Sequence, residues 1–128
     1  YTIGNDMSSR SIEGENPLYL PQAKTYDACA ALGPCIYVTK EPLSTDTKIA
    51  MNIKRNGQVV FEGETEVNKI KRKFDDLVKY LYKECSFANG SFLMTGTGIV
   101  PTTAFTLQSG DEINISIDSI GTLTNYVR

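Results

Sequence analysis

Histidine and tryptophan are both absent from the 128 residues. Without histidine the chain by itself holds no Ser-His-Asp or Cys-His nucleophile and no histidine-bound metal. Cysteine is scarce: Cys29, Cys35 and Cys85 are the only three. The number is odd and no pair has C-x-x-C spacing, so neither a disulfide framework nor a zinc site is indicated. Their apolar neighbours predict reduced core thiols, and a cytoplasmic protein. No apolar run approaches the ~20 residues of a membrane-crossing helix, so no membrane partner is expected. Charge of one sign is lacking too. The 13 basic residues against 15 acidic ones leave a net charge of −2, which gives no electrostatic reason to bind nucleic acid or an anionic membrane.

What is present fits one globular domain over residues 1–128, with 41% hydrophobic and 22% charged residues. The chain opens on Tyr1, already inside an apolar stretch, and is expected to continue something that begins upstream. Tyr1 to Asn5 reads as a strand running into a turn. Met7 to Pro21 has no period of two or 3.6 and reads as a long loop, a kind of segment that is usually functional. Ile36 to Thr39 reads as a strand after Gly33-Pro34. Ile49 to Lys54 and Gln58 to Phe61 flank Asn56-Gly57, the strongest short hairpin signal. Phe74, Leu77, Val78 and Leu81 fall at i, i+3, i+4 and i+7, which predicts a helix over about Lys73 to Cys85. Ser91 to Thr95 reads as a strand. So do Ile113 to Ile117, which alternate with polar residues, and Thr122 to Val127. Strands dominate and do not alternate with helices, so the fold class is α+β, mainly β, built on a mixed sheet with one main helix.

Taken one at a time, the candidate chemical groups are ambiguous. Asp6 in Asn5-Asp6 can cap a turn or ligate a metal. Lys24 stands among small and apolar residues, where a lysine is more often solvated than catalytic. The glycines of Thr95-Gly96-Thr97-Gly98 let backbone N–H groups face an anion, although a β-bulge explains them at least as well. Glu13-Gly14-Glu15, Glu62-Gly63-Glu64 and Glu64-Thr65-Glu66 have a spacing that places both carboxylates of a strand on one face, where Mg²⁺ could bind. The last two follow the hairpin in a charged segment and fit a solvated surface better.

The order of these blocks is more specific than any of them alone. Gly4-Asn5-Asp6-Met7-Ser8-Ser9-Arg10 resembles the G-N-D-x-S-x-R segment of the fumarylacetoacetate hydrolase family. Lys24-Thr25-Tyr26-Asp27 followed by Leu32-Gly33-Pro34 resembles its next segment. Asn56-Gly57, then Leu93-Met94-Thr95-Gly96-Thr97-Gly98, then Leu107 with Gly110-Asp111, then Ile120-Gly121-Thr122-Leu123 with Asn125 are similar to the remaining segments, in order and over nearly the whole chain. Many relatives have proline where this chain has Gly98, which leaves the shape of that loop open. Within the family, Leu20-Pro21-Gln22-Ala23-Lys24 looks closest to the sugar-acid dehydratases.

The resemblance implies a β-sandwich or roll of the family type, of which this chain is the C-terminal part of the catalytic domain. It implies a divalent cation, Mg²⁺ or else Mn²⁺ or Ca²⁺, held by Asp6 and by two glutamates upstream of Tyr1; the internal Glu-x-Glu pairs fall in the wrong place for that role. It gives Lys24 the catalytic position and Thr97, with Gly96, the grip on a substrate carboxylate, and it makes Arg10 and Gln22 substrate contacts. The implied reaction is dehydration of a small 2-oxo acid, a 2-keto-3-deoxy sugar acid such as 2-keto-3-deoxy-D-arabinonate going to 2,5-dioxopentanoate, through a metal-stabilised enolate. Hydrolysis of a C–C bond, decarboxylation or isomerisation of an acylpyruvate-like acid would use the same residues. A non-catalytic binding or assembly domain is the alternative outside enzymes. A homo-oligomer is expected on the resemblance alone.

Overall fold

The first strand forms where the apolar opening predicts it, as β1 (Ile3–Asp6), in a computed structural model that describes every residue from Tyr1 to Arg128. Two short helices follow, α1 (Arg10–Glu15) and α2 (Leu20–Ala23), separated by a 3-10 turn at Pro17–Tyr19. The chain returns as β2 (Ala30–Gly33), antiparallel to β1. Next come β3 (Lys48–Arg55), β4 (Gln58–Glu66), α3 (Phe74–Leu81), β5 (Glu112–Ile117) and β6 (Gly121–Tyr126). The larger sheet has the order β4-β3-β5-β6.

The hairpin between β3 and β4 forms as the sequence predicts, with Asn56 at φ 51° and Gly57 at φ 78°. Positive φ at both central residues matches the turn's twist to that of the strands. In β5, Ile113, Ile115 and Ile117 pair with Ile53, Met51 and Ile49 of β3, forming one apolar face. The opposite face is a hydrogen-bonded polar ladder. There the Asn114 amide donates to Asn52 and Glu112, Thr124 donates to Asn114, and Lys54 pairs with Glu112 at 3.3 Å.

Several expectations need correction. The segment from Met7 to Pro21 is largely helical, because Asn16 caps the 3-10 turn through the Leu18 N–H and Pro17 and Pro21 supply preset φ in the first turns. Ile36–Thr39 is not a strand; only Tyr37 bonds to the backbone of Tyr1, and the ladder partner of β1 is the preceding Ala30–Gly33. Ser91–Thr95 is not a strand either, since no neighbouring backbone pairs with it. Helix α3 stops at Leu81, four residues short of the predicted end. Every pairing within the chain is antiparallel, so no parallel pair of a mixed sheet occurs among these residues. The cysteines are unpaired as expected, but Cys35 and Cys85 are exposed rather than in the core because both lie in irregular segments.

The core is small. Ile3, Ile120 and Leu123 are buried where the two sheets meet, with Ala31, Tyr37 and Ile115 packed around them. The Asn5 amide reaches Asn125 of β6 at 3.0 Å and ties the sheets together. Only 10 of the 128 residues are buried. The accessible surface of 9415 Å² is about 40% above the ~6,700 Å² expected of a folded monomer of 14.1 kDa. Much of the surplus lies outside the strands, where Leu18, Ile36, Val38 and Phe92 stay exposed, and the half-buried apolar face of β3 and β5 lines an open hollow.

Candidate functional site

Two crossings of the backbone bring the first candidate residues together. The Met7 N–H bonds to the Cys29 carbonyl at 2.9 Å, and the Ser9 N–H bonds to that of Ala23 at 2.8 Å. The extension of β1 therefore runs beside the end of α2. Ala23 is fully buried and anchors α2, and the next residue, Lys24, is released from the helix toward Asp6. The thiol of Cys29 donates to the Lys24 carbonyl at 3.0 Å and fixes that backbone from the other side.

As a result, Lys24 Nζ donates to Asp6 Oδ2 at 2.6 Å and to Ser8 Oγ at 2.7 Å. The ion pair is partly open, with side-chain exposures of 32% and 41%, so solvent screens much of its attraction. Its interest is chemical. An ammonium, a carboxylate and a hydroxyl share one corner of the hollow. Asp6 Oδ1 accepts no hydrogen bond, which leaves a hard oxygen for a cation such as Mg²⁺. No group of three His, Cys, Asp or Glu side chains that could hold a metal exists in the chain.

Thr97 reaches the same hollow by another route. The irregular segment between α3 and β5 is seated at two close approaches. Met94 lies over Gly4, where an added Cβ would come within 2.4 Å of its sulfur, and Ile99 lies over Gly63, where one would come within 2.7 Å of Cγ2. Between them Gly96 takes φ 83°. Thr97 Oγ1 accepts from the Ile99 N–H at 3.0 Å, which keeps its proton free to donate. With no ladder here, the β-bulge reading falls. The N–H groups of Gly96, Thr97 and Gly98 have no backbone partner and are available to an anion.

An ion pair with one buried partner holds the far end of this segment. Asp111 is fully buried and receives Arg55 Nε and Nη2, both at 2.8 Å, while Nη2 also donates to the Thr106 carbonyl at 3.0 Å. The hydrogen bonds from Arg55 hold the Asp111 carboxyl at a pKa of about 2, against the opposing effect of burial. The same contact raises the pKa of Arg55.

Asp6, Arg10, Lys24, Gly96 and Thr97 thus line one hollow of about 1270 Å³. Arg10 is paired with Glu13 at 3.0 Å on its wall. Gln22 stands apart, exposed on α2 and not on that wall. The volume exceeds the ~300–1,000 Å³ of a finished ligand site, and more than half of the wall is apolar. Ser8 was missed in the sequence. The signal available was its i+2 spacing from Asp6, which puts both side chains on one side of an extended chain. Glu62 and Glu64 lie on the opposite face of the sheet, Glu64 beside Lys48 at 3.4 Å.

The sequence pattern that defines the C-terminal part of fumarylacetoacetate (FAA) hydrolases matches residues 1–128. A probable 2-keto-3-deoxyxylonate dehydratase of Haloferax volcanii is 46% identical over 99% of this chain and 44% of its own length. The 2-dehydro-3-deoxy-D-arabinonate dehydratase of Saccharolobus solfataricus is 44% identical over 100% and 43% respectively. A solved 2-keto-3-deoxy-D-arabinonate dehydratase, complexed with magnesium and 2,5-dioxopentanoate, superimposes with a TM-score of 0.93 at 42% identity, covering all of this chain and 46% of that one. The chain spans less than half the length of these relatives.

Proposed function

The chain belongs to the fumarylacetoacetate hydrolase family, and from that membership we propose that it is the C-terminal part of the catalytic domain of a Mg²⁺-dependent dehydratase acting on a 2-keto-3-deoxy sugar acid. The observation that carries this reading is the contact of Lys24 with Asp6 on the wall of a hollow that Thr97 also lines, three residues from separate segments. The dehydratase names of relatives 44–46% identical support the choice of reaction.

Asp6 fits a hard divalent cation through its free oxygen, and carboxylates from outside these 128 residues would complete the set of ligands. A bound Mg²⁺ would draw electron density from the keto group of a chelated 2-oxo acid and make its C3 proton easier to remove. Lys24 holds a fixed positive charge beside the site where negative charge grows on the substrate. Thr97 donates its hydroxyl proton to the substrate carboxylate, and the open N–H groups around Gly96 add further donors. Arg10, held by Glu13 on the same wall, offers its remaining N–H donors to the substrate. Loss of the C3 proton and the C4 hydroxide removes one water, and tautomerisation then yields the 2,5-dioxo product.

The unpaired cysteines support a reducing, cytoplasmic setting. A homo-oligomer is part of this reading on the family likeness alone. The net charge of −2 offers nothing to nucleic acid.

The test is a substrate comparison with the full-length enzyme. 2-Keto-3-deoxy-D-arabinonate should give 2,5-dioxopentanoate, with activity lost in EDTA and restored by Mg²⁺. Turnover confined to an acylpyruvate or oxaloacetate would replace dehydration with another reaction of the family.

A further inference from the structure

Lys24 has two partners, and the proposed function weakens its hold on one of them. A lysine ammonium only donates hydrogen bonds, so Ser8 Oγ must accept at 2.7 Å. The serine's own proton is directed at the Asp6 carbonyl, 3.4 Å away. Its lone pairs are therefore left for Nζ. The other partner, Asp6 Oδ2 at 2.6 Å, belongs to the one carboxylate that the reading above also gives to a divalent cation. A doubly charged ion attracts that carboxylate more strongly than an ammonium does, and it also repels the ammonium.

We infer that Ser8 is a positioning residue that keeps the Lys24 ammonium in the site once the Asp6 carboxylate engages the cation, an inference that rests on the function proposed above. The backbone of Ser8 is suited to this. The residues on either side of it, Met7 and Ser9, bond to the carbonyls of Cys29 and Ala23. Those crossings fix the distance between Ser8 and Lys24 without help from the Asp6 side chain. Lysine rides on a flexible four-carbon stem. Without an acceptor on fixed backbone, its charge would spread over several rotamers just when the reaction needs it in one place.

The test uses Ser8→Ala and Ser8→Thr in the full-length enzyme, with Lys24→Ala as the lower limit. A lost hydrogen bond to a charged group predicts a kcat ~10- to 100-fold lower in Ser8→Ala, with KM within about threefold of wild type. Ser8→Thr, which keeps the hydroxyl, should recover most of the rate. Mg²⁺ affinity measured by calorimetry without substrate should stay within about twofold, because Ser8 touches the Asp6 backbone and not its carboxylate and so is no direct partner of a ligand. With Mg²⁺ bound, Lys24 in Ser8→Ala should react at least about threefold faster with an amine-directed reagent, followed by peptide mass spectrometry, because its ammonium has lost its anchor. A wild-type kcat in Ser8→Ala, a threonine variant no better than alanine, or a collapse of Mg²⁺ affinity would each overturn the inference. Should wild type turn over none of the 2-oxo acids, the functional reading fails by itself. The labelling experiment then still decides: unchanged Lys24 reactivity in Ser8→Ala overturns the role of Ser8.

Discussion

Asp111 keeps its charge in full burial because Arg55 supplies two parallel N–H donors and the Gln108 N–H a third. Nothing near Gly110-Asp111 in the sequence announces that partner, which lies 56 positions away across β3 and β5. The sequence marks a turn there and no more. Since folding lowers the carboxyl from its ordinary 3.8 to about 2, the stabilisation is complete above about pH 4 and is lost as the pH falls toward 2. Asp111→Asn should lower the urea midpoint of the full-length protein at pH 7 and flatten its decline between pH 4 and pH 2. A variant with the same acid profile as wild type would show that this pair does not set the response. Lys24, Asp6 and Thr97 differ in kind. Each was ambiguous alone and became legible only through the order of its neighbouring motif.

At the scale of elements, strands with strict alternation and the Asn-Gly hairpin formed where the pattern put them. Their register depends on side chains that lie on the strand itself. Segments that needed a partner did not follow their local pattern. Ser91–Thr95 has a strand-like composition but no neighbour to pair with, and it serves instead to carry Thr97. That task depends on close approach to the sheet at Gly63. Gly63→Ala would place a Cβ 2.7 Å from Ile99 Cγ2 and push Ile99, whose N–H bonds to Thr97. The expected cost is about 1–3 kcal/mol of stability, together with a raised KM for the 2-oxo acid. Adding Ile99→Ala removes the clashing methyl and should restore part of the KM. If the two substitutions simply add, the coupling between this contact and the Thr97 turn is absent.

The whole molecule has more surface than a chain of its size should expose. The apolar face of β3 and β5, with Phe74 and Val78 of α3 along the same hollow, is only partly covered: Ile53 and Ile113 are buried, while Ile49, Met51, Ile115 and Ile117 keep part of their surface open. A sheet that is apolar on one side is stable when another layer covers that side. Residues 1–128 expressed alone should therefore bind a hydrophobic dye such as ANS and run as polydisperse aggregates in size-exclusion chromatography, whereas the full-length protein should bind little dye and run as one defined species. A monomeric, dye-silent fragment would mean that the hollow needs no further cover.

Composition, strand alternation, the hairpin and the order of motifs were determined by the sequence alone, because each depends on residues near one another in the chain. The tertiary structure decided which groups meet. Whether Ser8 touches Lys24, whether Asp111 finds Arg55 and which way Glu62 and Glu64 face depend on backbone crossings and strand pairings between distant segments. Those pairings follow from burying one shared apolar face, a quantity that no single stretch of the sequence contains.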